Sequence, residues 1–211
     1  MAEASTGTPR ERYRTQVRAE IKEHAWAQIA TAGASALSLN AIAKLMGLSG
    51  PALYRYFANR DELITDLVTD AYRSLADTLR AADADGPSLA QAMRAWALAD
   101  PHRYLLIYGT PVPGYHAPAE ITAIAKEIMA TLLDAYVAGP ADRPAAAFDA
   151  HLEGHRDWAE GHPATPATLH RALISWTRLH GVLSLELSGH FTGMGFDPAQ
   201  LYAAEVEALD G

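Results

Sequence analysis

The stretch from Ser38 to Phe57, SLNAIAKLMGLSGPALYRYF, constrains this chain more than any other. Ser38 is placed to cap a short helix, because Leu39, Ile42, Ala43 and Met46 follow at helical spacing and Gly47 is placed to end it. Ser49 is placed to cap a second helix, with Gly50 and Pro51 in its first turn and Ala52 to Phe57 as its body. Two short helices joined by a tight turn at Gly47-Leu48 have the arithmetic of a helix-turn-helix, the unit that carries its second helix into the DNA major groove. Leu53 and Phe57 lie four apart and share the face toward the first helix, which turns Tyr54, Arg55 and Tyr56 partly or wholly outward. The same spacing also suits an ordinary pair of core helices.

From Ala25 to about Leu67 the chain resembles the N-terminal domain of TetR-family transcriptional regulators. LSLNAIAKLMGLSGPALYRYFANRDEL stands where that family carries its signature, including the LYRYF core, the polar turn after it and a long helix starting at Arg60-Asp61-Glu62-Leu63. The resemblance implies a three-helix DNA-binding head in residues 1–57, with 59–67 as the start of a connecting helix. It implies duplex DNA as partner and contacts among Ser38, Ser49, Ala52, Tyr54, Arg55, Tyr56 and Arg60, the last holding a phosphate together with its helix N-terminus. The chain departs from the pattern at Gly50-Pro51, where many relatives carry a lysine or another polar residue, so one contact is expected to be missing.

The net charge of −8 looks wrong for a DNA-binding protein until the chain is divided. Residues 1–60 hold eight basic and four acidic residues, +4, whereas 61–211 hold nine basic and twenty-one acidic ones, −12. A basic head approaches phosphates while an acidic body stays away from them, although a solvated helix face accounts for the arginines equally well. A chain of 211 residues, 49% hydrophobic, has ample material for one large or two small domains. No apolar run reaches the ~20 residues of a membrane span, and MAEASTGTPRERYR lacks the apolar segment of a signal peptide, so a cytoplasmic protein with no membrane partner is expected. The absence of cysteine excludes disulfides, thiolate metal sites and thiol redox sensing.

The rest of the chain reads as helices joined by loops, with nothing that suggests a strand or an internal repeat. Thr8-Pro9-Arg10-Glu11 is a capping box with proline at the first position, and Tyr13, Val17, Ile21, Ala25 and Ile29 then recur every four residues as far as Gly33. The early arginines of this helix suit either the DNA backbone or solvent. Asn59 with Glu62 opens a helix of ~34 Å reach, with Ile64, Val68, Ala71, Leu75 and Leu79 on one side, ending before Gly86-Pro87. Ser88 and Gln91 open the next, and Asp100-Pro101 caps a short one holding Tyr104, Leu105 and Tyr108 before a loop at residues 109–114. A helix from about Pro118 carries Ile121, Ile124, Ile128, Leu132 and Tyr136 and stops at Gly139-Pro140. Phe148, Leu152, His155 and Ala159 line one side of a short helix before Gly161. Thr165-Pro166 caps a helix with Leu169, Leu173, Trp176, His180, Leu183 and Leu187 in one stripe and Ile174, Val182 and Leu185 elsewhere, and Asp197-Pro198 caps the last, which carries Leu201, Tyr202, Val206 and Leu209. A helix apolar on more than one side needs two burial partners, and the second is most simply its copy in another subunit.

Trp176-x3-His180-Gly181, with RYLLIYGTPVPGYHAP upstream, resembles the C-terminal WHG domain of some TetR-type regulators. That likeness implies an effector pocket and a homodimer in residues 68–211. Trp96, Tyr104, Tyr108, Met129, Trp176 and His180 are the candidate effector contacts, though each also suits an ordinary core. Leu173, Gly181, Leu185 and Tyr202 are the candidate dimer contacts, Gly181 allowing a close crossing.

His151-Leu-Glu-Gly-His155 sets two imidazoles one helical turn apart, and the alternative from another class is a helical metal-dependent hydrolase or other enzyme using His151, Glu153 and His155. The order is wrong for the metalloprotease motif, and no G-x-S-x-G, phosphate-binding loop or dinucleotide fingerprint is present. A dimeric ligand-binding protein without an operator is a third reading. The expectation is an all-α, homodimeric, non-enzymatic regulator that needs no cofactor, binds a pseudo-palindromic operator and is released from it by a small-molecule effector.

Overall fold

Local capping chemistry starts most of the helices in the computed structural model, which describes residues 8–137 and 146–210. α1 spans Pro9–Ala32, and its capping box is complete: Thr8 N donates to Glu11 Oε2 at 2.7 Å and Glu11 N to Thr8 Oγ1 at 3.3 Å. α2 (Leu39–Leu45) starts on the Ser38 hydroxyl and α3 (Gly50–Leu53) on that of Ser49. Between them Leu48 N reaches back to Ala43 O at 2.9 Å and Gly47 N to Lys44 O at 3.3 Å, a Schellman closure that requires the left-handed φ of +65° at Gly47.

The expected Ala52–Phe57 helix body is shorter than its spacing suggests. α3 keeps i→i−4 bonds only briefly, then tightens: Arg55 N bonds Ala52 O and Tyr56 N bonds Leu53 O, before Phe57 N returns to Leu53 O. Three-residue closure lets a short helix satisfy its last carbonyls without lengthening. Leu53 and Phe57 still turn inward and are fully buried, with Ile21, Ile42, Leu63, Ile64 and Leu67. Tyr13 does not join this core. It is 62% exposed, and the buried stripe of α1 begins one turn later, at Val17.

α4 (Arg60–Ala81) begins in one compact unit and ends in another. The first unit runs through Thr69 and takes in Pro111–His116; the second holds Asp70–Thr110 and the chain from Ala117 on. The sequence division at residues 67 and 68 leaves the 111–116 loop with the body, whereas Val112 is buried and Tyr115 Oη lies 3.2 Å from Thr65 Oγ1 within the first unit. A fifty-residue separation hides that pairing from local patterns.

The second unit contains α5 (Gly86–Ala99), α6 (Pro101–Tyr108), α7 (Ala119–Val137), α8 (Ala147–Glu153), α9 (Pro166–Leu187) and α10 (Pro198–Asp210). No strand occurs among the described residues. α5 starts earlier than expected because Asp85, not Ser88, is its cap: Ser88 N donates to Asp85 Oδ1 at 2.7 Å. The proposed stop at Gly139-Pro140 lies outside the described residues. α8 is shorter than the Phe148–Ala159 stripe, with Phe148 and His155 exposed and Leu152 and Asp149 buried, and a separate 3-10 turn carries Ala159.

The buried line of α9 also differs from the expected one. Leu169, Ala172, Ser175, Leu179, Val182 and Leu183 are buried, while Leu173, Trp176, His180 and Leu187 flank them. Packing of α9 against α7, α8 and α10 together brings Ala172, Ser175 and Leu179, which the apolar pattern passes over, into its buried face.

Candidate functional site

The head presents one edge of side chains that its core does not use. Tyr54 and Arg55 are exposed and Tyr56 is half-buried, beside the half-buried Ala52. The hydroxyls of Ser38 and Ser49 accept from Ala41 N and Ala52 N, so they serve as caps at the helix starts. Arg18, on α1, fixes the end of the edge. Its Nη1 donates to the Tyr56 carbonyl, its Nη2 to Asp66 Oδ2 at 2.9 Å, and its guanidinium lies 4.0 Å from the centroid of Phe57. This residue escaped the sequence reading, since nothing local marks an arginine whose partners lie 38 and 48 positions away.

Arg60 has a different local task from the phosphate grip expected of it. Its Nε donates to Leu37 O at 3.2 Å, and its Nη2 to Ala34 O and Ser35 O at 2.9 and 3.2 Å, so the guanidinium closes the connection between α1 and α2. The start of α4 is capped by Asn59 Oδ1 on Glu62 N at 2.8 Å. The guanidinium of Arg60 is thus engaged with backbone carbonyls of the head.

In the second unit, four of the six expected effector contacts come together. Tyr104 and Tyr108 of α6 meet Trp176 and His180 of α9: the ring centroids of Tyr108 and His180 are 4.3 Å apart, those of Trp176 and His180 4.1 Å, and Tyr72 of α4 joins at 6.0 Å from Tyr108. Tyr104 Oη lies 2.9 Å from His180 Nδ1 and 2.8 Å from Ser184 Oγ. His180 Nε2 is buried with no hydrogen-bond partner. Burial lowers the pKa of this imidazole to about 4, and burial raises those of Tyr104 and Tyr108, so all three rings are neutral at pH 7.

Trp176 also borders an apolar cavity of about 20 Å³, lined by Leu79, Leu89, Met93, Leu132 and Leu179 among others, room for about one water. Trp96 is held elsewhere, its indole N–H on Ser74 Oγ at 3.1 Å, and Met129 packs half-buried against the common core.

The dimer candidates separate sharply. Tyr202 is fully buried in its own protomer, with Oη donating to Ala90 O at 2.8 Å, so it is a core residue and not an interface one. Gly181 and Leu185 lie exposed on α9, Leu173 is half-buried, and a Cβ built on Gly181 meets nothing within 4 Å. His151 and His155 stack face to face at 4.0 Å instead of converging, and His155 Nδ1 pairs with His151 O at 2.9 Å. Among the described residues no three metal-capable side chains come together.

A helix-turn-helix with an outward Tyr54-Arg55-Tyr56 edge, joined to a helical body, defines a DNA-binding regulator. Residues 21–67 match the family described as bacterial regulatory proteins, tetR family, and residues 87–209 match the tetracyclin repressor-like C-terminal domain. The HTH-type transcriptional regulators Mb1846 of Mycobacterium bovis and Rv1816 of Mycobacterium tuberculosis are each 37% identical across 93% of this chain and 92% of their own. The crystal structure of regulatory protein SCO4313 is 69% identical, with a TM-score of 0.89 over 96% of this chain and 98% of that one. A tetR-family regulatory protein from Rhodococcus RHA1, 16% identical with a TM-score of 0.56 over 92% of this chain and 95% of its own, shares the fold. This chain belongs to the TetR family and is a DNA-binding transcriptional regulator.

Proposed function

We propose that the protein is a cytoplasmic, homodimeric repressor that leaves its operator when a small molecule binds the body. The observation that carries this reading is the aromatic cluster of Tyr104, Tyr108, Trp176 and His180, which keeps a buried, unpaired imidazole nitrogen on His180 and whose Trp176 borders an apolar cavity. A buried polar group without a partner costs about 1–3 kcal/mol, and an arriving hydrogen-bonding ligand recovers that cost. The residues flanking the cluster in sequence support coupling to the head. Three residues after Tyr108 the chain enters the loop that pairs Tyr115 with Thr65, and Tyr72 belongs to the helix that begins at Arg60.

Two heads read two half-sites about one helical turn, roughly 34 Å, or a multiple of it apart. Arg55 and Tyr56 meet base edges, while Tyr54 and the start of α4 meet backbone. Residues 68–211 bind effector and dimerise, through Leu173, Gly181 and Leu185 of α9.

The test begins by selecting duplexes from genomic DNA with the purified protein and screening products of the neighbouring genes for release. An effector must lower operator affinity, and operator must lower effector affinity by the same factor. Trp176 supplies the readout, by fluorescence. Effector and operator that bind together without mutual penalty overturn the release mechanism.

A further inference from the structure

The first two turns of α1, Pro9 to Gln16, are exposed on every side, and the first buried residue is Val17. A helix end without tertiary packing ordinarily frays. This one is ordered by its own chemistry, the capping box of Thr8 with Glu11 and a proline at the first position. Its outward charges work against that order. Arg10, Arg14 and Arg18 fall at successive i, i+4 positions, and like-charged pairs at that spacing destabilise a helix.

Arg18 is balanced by Asp66 and Glu62, whereas Arg10 and Arg14 have no ion-pair partner among the described residues. Tyr13 continues the line of Val17 and Ile21 one turn past the core, with its ring in solvent. The stripe also has a starting point. The guanidinium of Arg14 lies 5.9 Å from the centroid of Tyr56, the last residue of the outward edge, and Arg10 lies one further step of about 6 Å along the helix.

An ordered, uncovered, cationic stripe that starts beside the reading residues is complementary to a polyanion already bound there. We propose that Arg10, Tyr13 and Arg14 form a second DNA contact, holding the sugar-phosphate backbone that flanks the half-site read by Tyr54, Arg55 and Tyr56. The arginines pair with phosphates, and Tyr13 lays its ring against the sugars, its hydroxyl within reach of a phosphate oxygen. The contact lengthens the footprint and adds affinity without adding sequence preference. It rests on DNA binding by the head and is independent of effector release.

The experiment measures salt-dependent binding of the full chain to a selected operator and to a random-sequence duplex, by fluorescence anisotropy. Each phosphate contact contributes about 0.9 to the slope of log K against log salt. The double variant Arg10→Ala/Arg14→Ala is expected to lose about two units of slope on both duplexes, and to lose hydroxyl-radical protection of the outermost sugars. Tyr13→Ala is expected to weaken binding to both duplexes with a nearly unchanged slope, and Arg80→Ala, on the body end of α4, to change neither. The double variant should also melt no lower than the parent chain, since it removes a repulsion. A parental slope and parental protection in the double variant overturn the proposal; so does a lowered melting temperature with the slope intact, which assigns the arginines to holding the fold.

Discussion

Arg60 illustrates how one residue's partners redirect a functional expectation. Three of its hydrogen bonds end on carbonyls of the α1–α2 connection, and bonds from a charged donor contribute about 1.5–3 kcal/mol each before losses elsewhere. Arg60→Ala is therefore expected to lower stability by about 2 kcal/mol, read as an earlier urea midpoint, while the salt slope of DNA binding changes by well under one unit. A slope lower by a full unit at unchanged midpoint would return Arg60 to the phosphate contacts. His180 makes a prediction of another kind. Its imidazole titrates near 6.5 when exposed and near 4 when buried, so between those values the unfolded chain holds more protons. Stability from this group is complete above pH 6.5 and falls as pH drops toward 4, by up to about 3 kcal/mol. Urea midpoints of the protein and of His180→Gln, compared at pH 7 and pH 4.5, isolate it from the carboxylates: the gap should favour the parent more at pH 7. An equal gap at both values would mean that the imidazole is not buried neutral.

At the scale of elements, the turn between α2 and α3 sets where the reading edge points. Gly47 sits at φ +65°, a conformation that costs a residue bearing a Cβ about 1–2 kcal/mol. Gly47→Val is expected to lose at least that much stability and to weaken operator binding further, as the α3 entry angle shifts; thermal melts and anisotropy read the two effects separately. Parental melting would show that the turn accommodates a side chain. Starts of this sort were legible in the sequence because the signal and its effect lie within four residues: Thr8, Ser38, Ser49, Asn59, Asp100 and Thr165 all cap the helices they precede. Buried faces were less legible, because a stripe of large apolar residues does not say which side its neighbours cover. Tyr13 therefore lies outside the core, and in α9 Ala172 and Ser175 lie deeper than Leu173 and Trp176. Destinations far along the chain were not legible at all. Arg18 on the Tyr56 carbonyl, Arg60 on Leu37 and Tyr202 on Ala90 each depend on how several helices come together.

For the whole molecule, the exposed line of Gly181 and Leu185 on α9 gives the proposed dimer a clean test. A side chain at Gly181 meets nothing within its own protomer, so Gly181→Trp should leave helix content and melting of the monomer intact while pushing a partner helix away. Sedimentation at micromolar concentration should show monomer; a dimer with normal operator affinity would move the interface elsewhere. The loop of Pro111–His116 bears on how the molecule is made. The chain leaves the first compact unit after Thr69, returns for this loop and leaves again, so a ribosome has to deliver the forty-one residues Asp70–Thr110 before the loop emerges. At typical synthesis rates of about 5–20 residues per second that interval lasts roughly 2–8 s. During it the nascent head has no Val112 in its core and no Tyr115 beside Thr65, and it is complete only once α5 and α6 have also been synthesised.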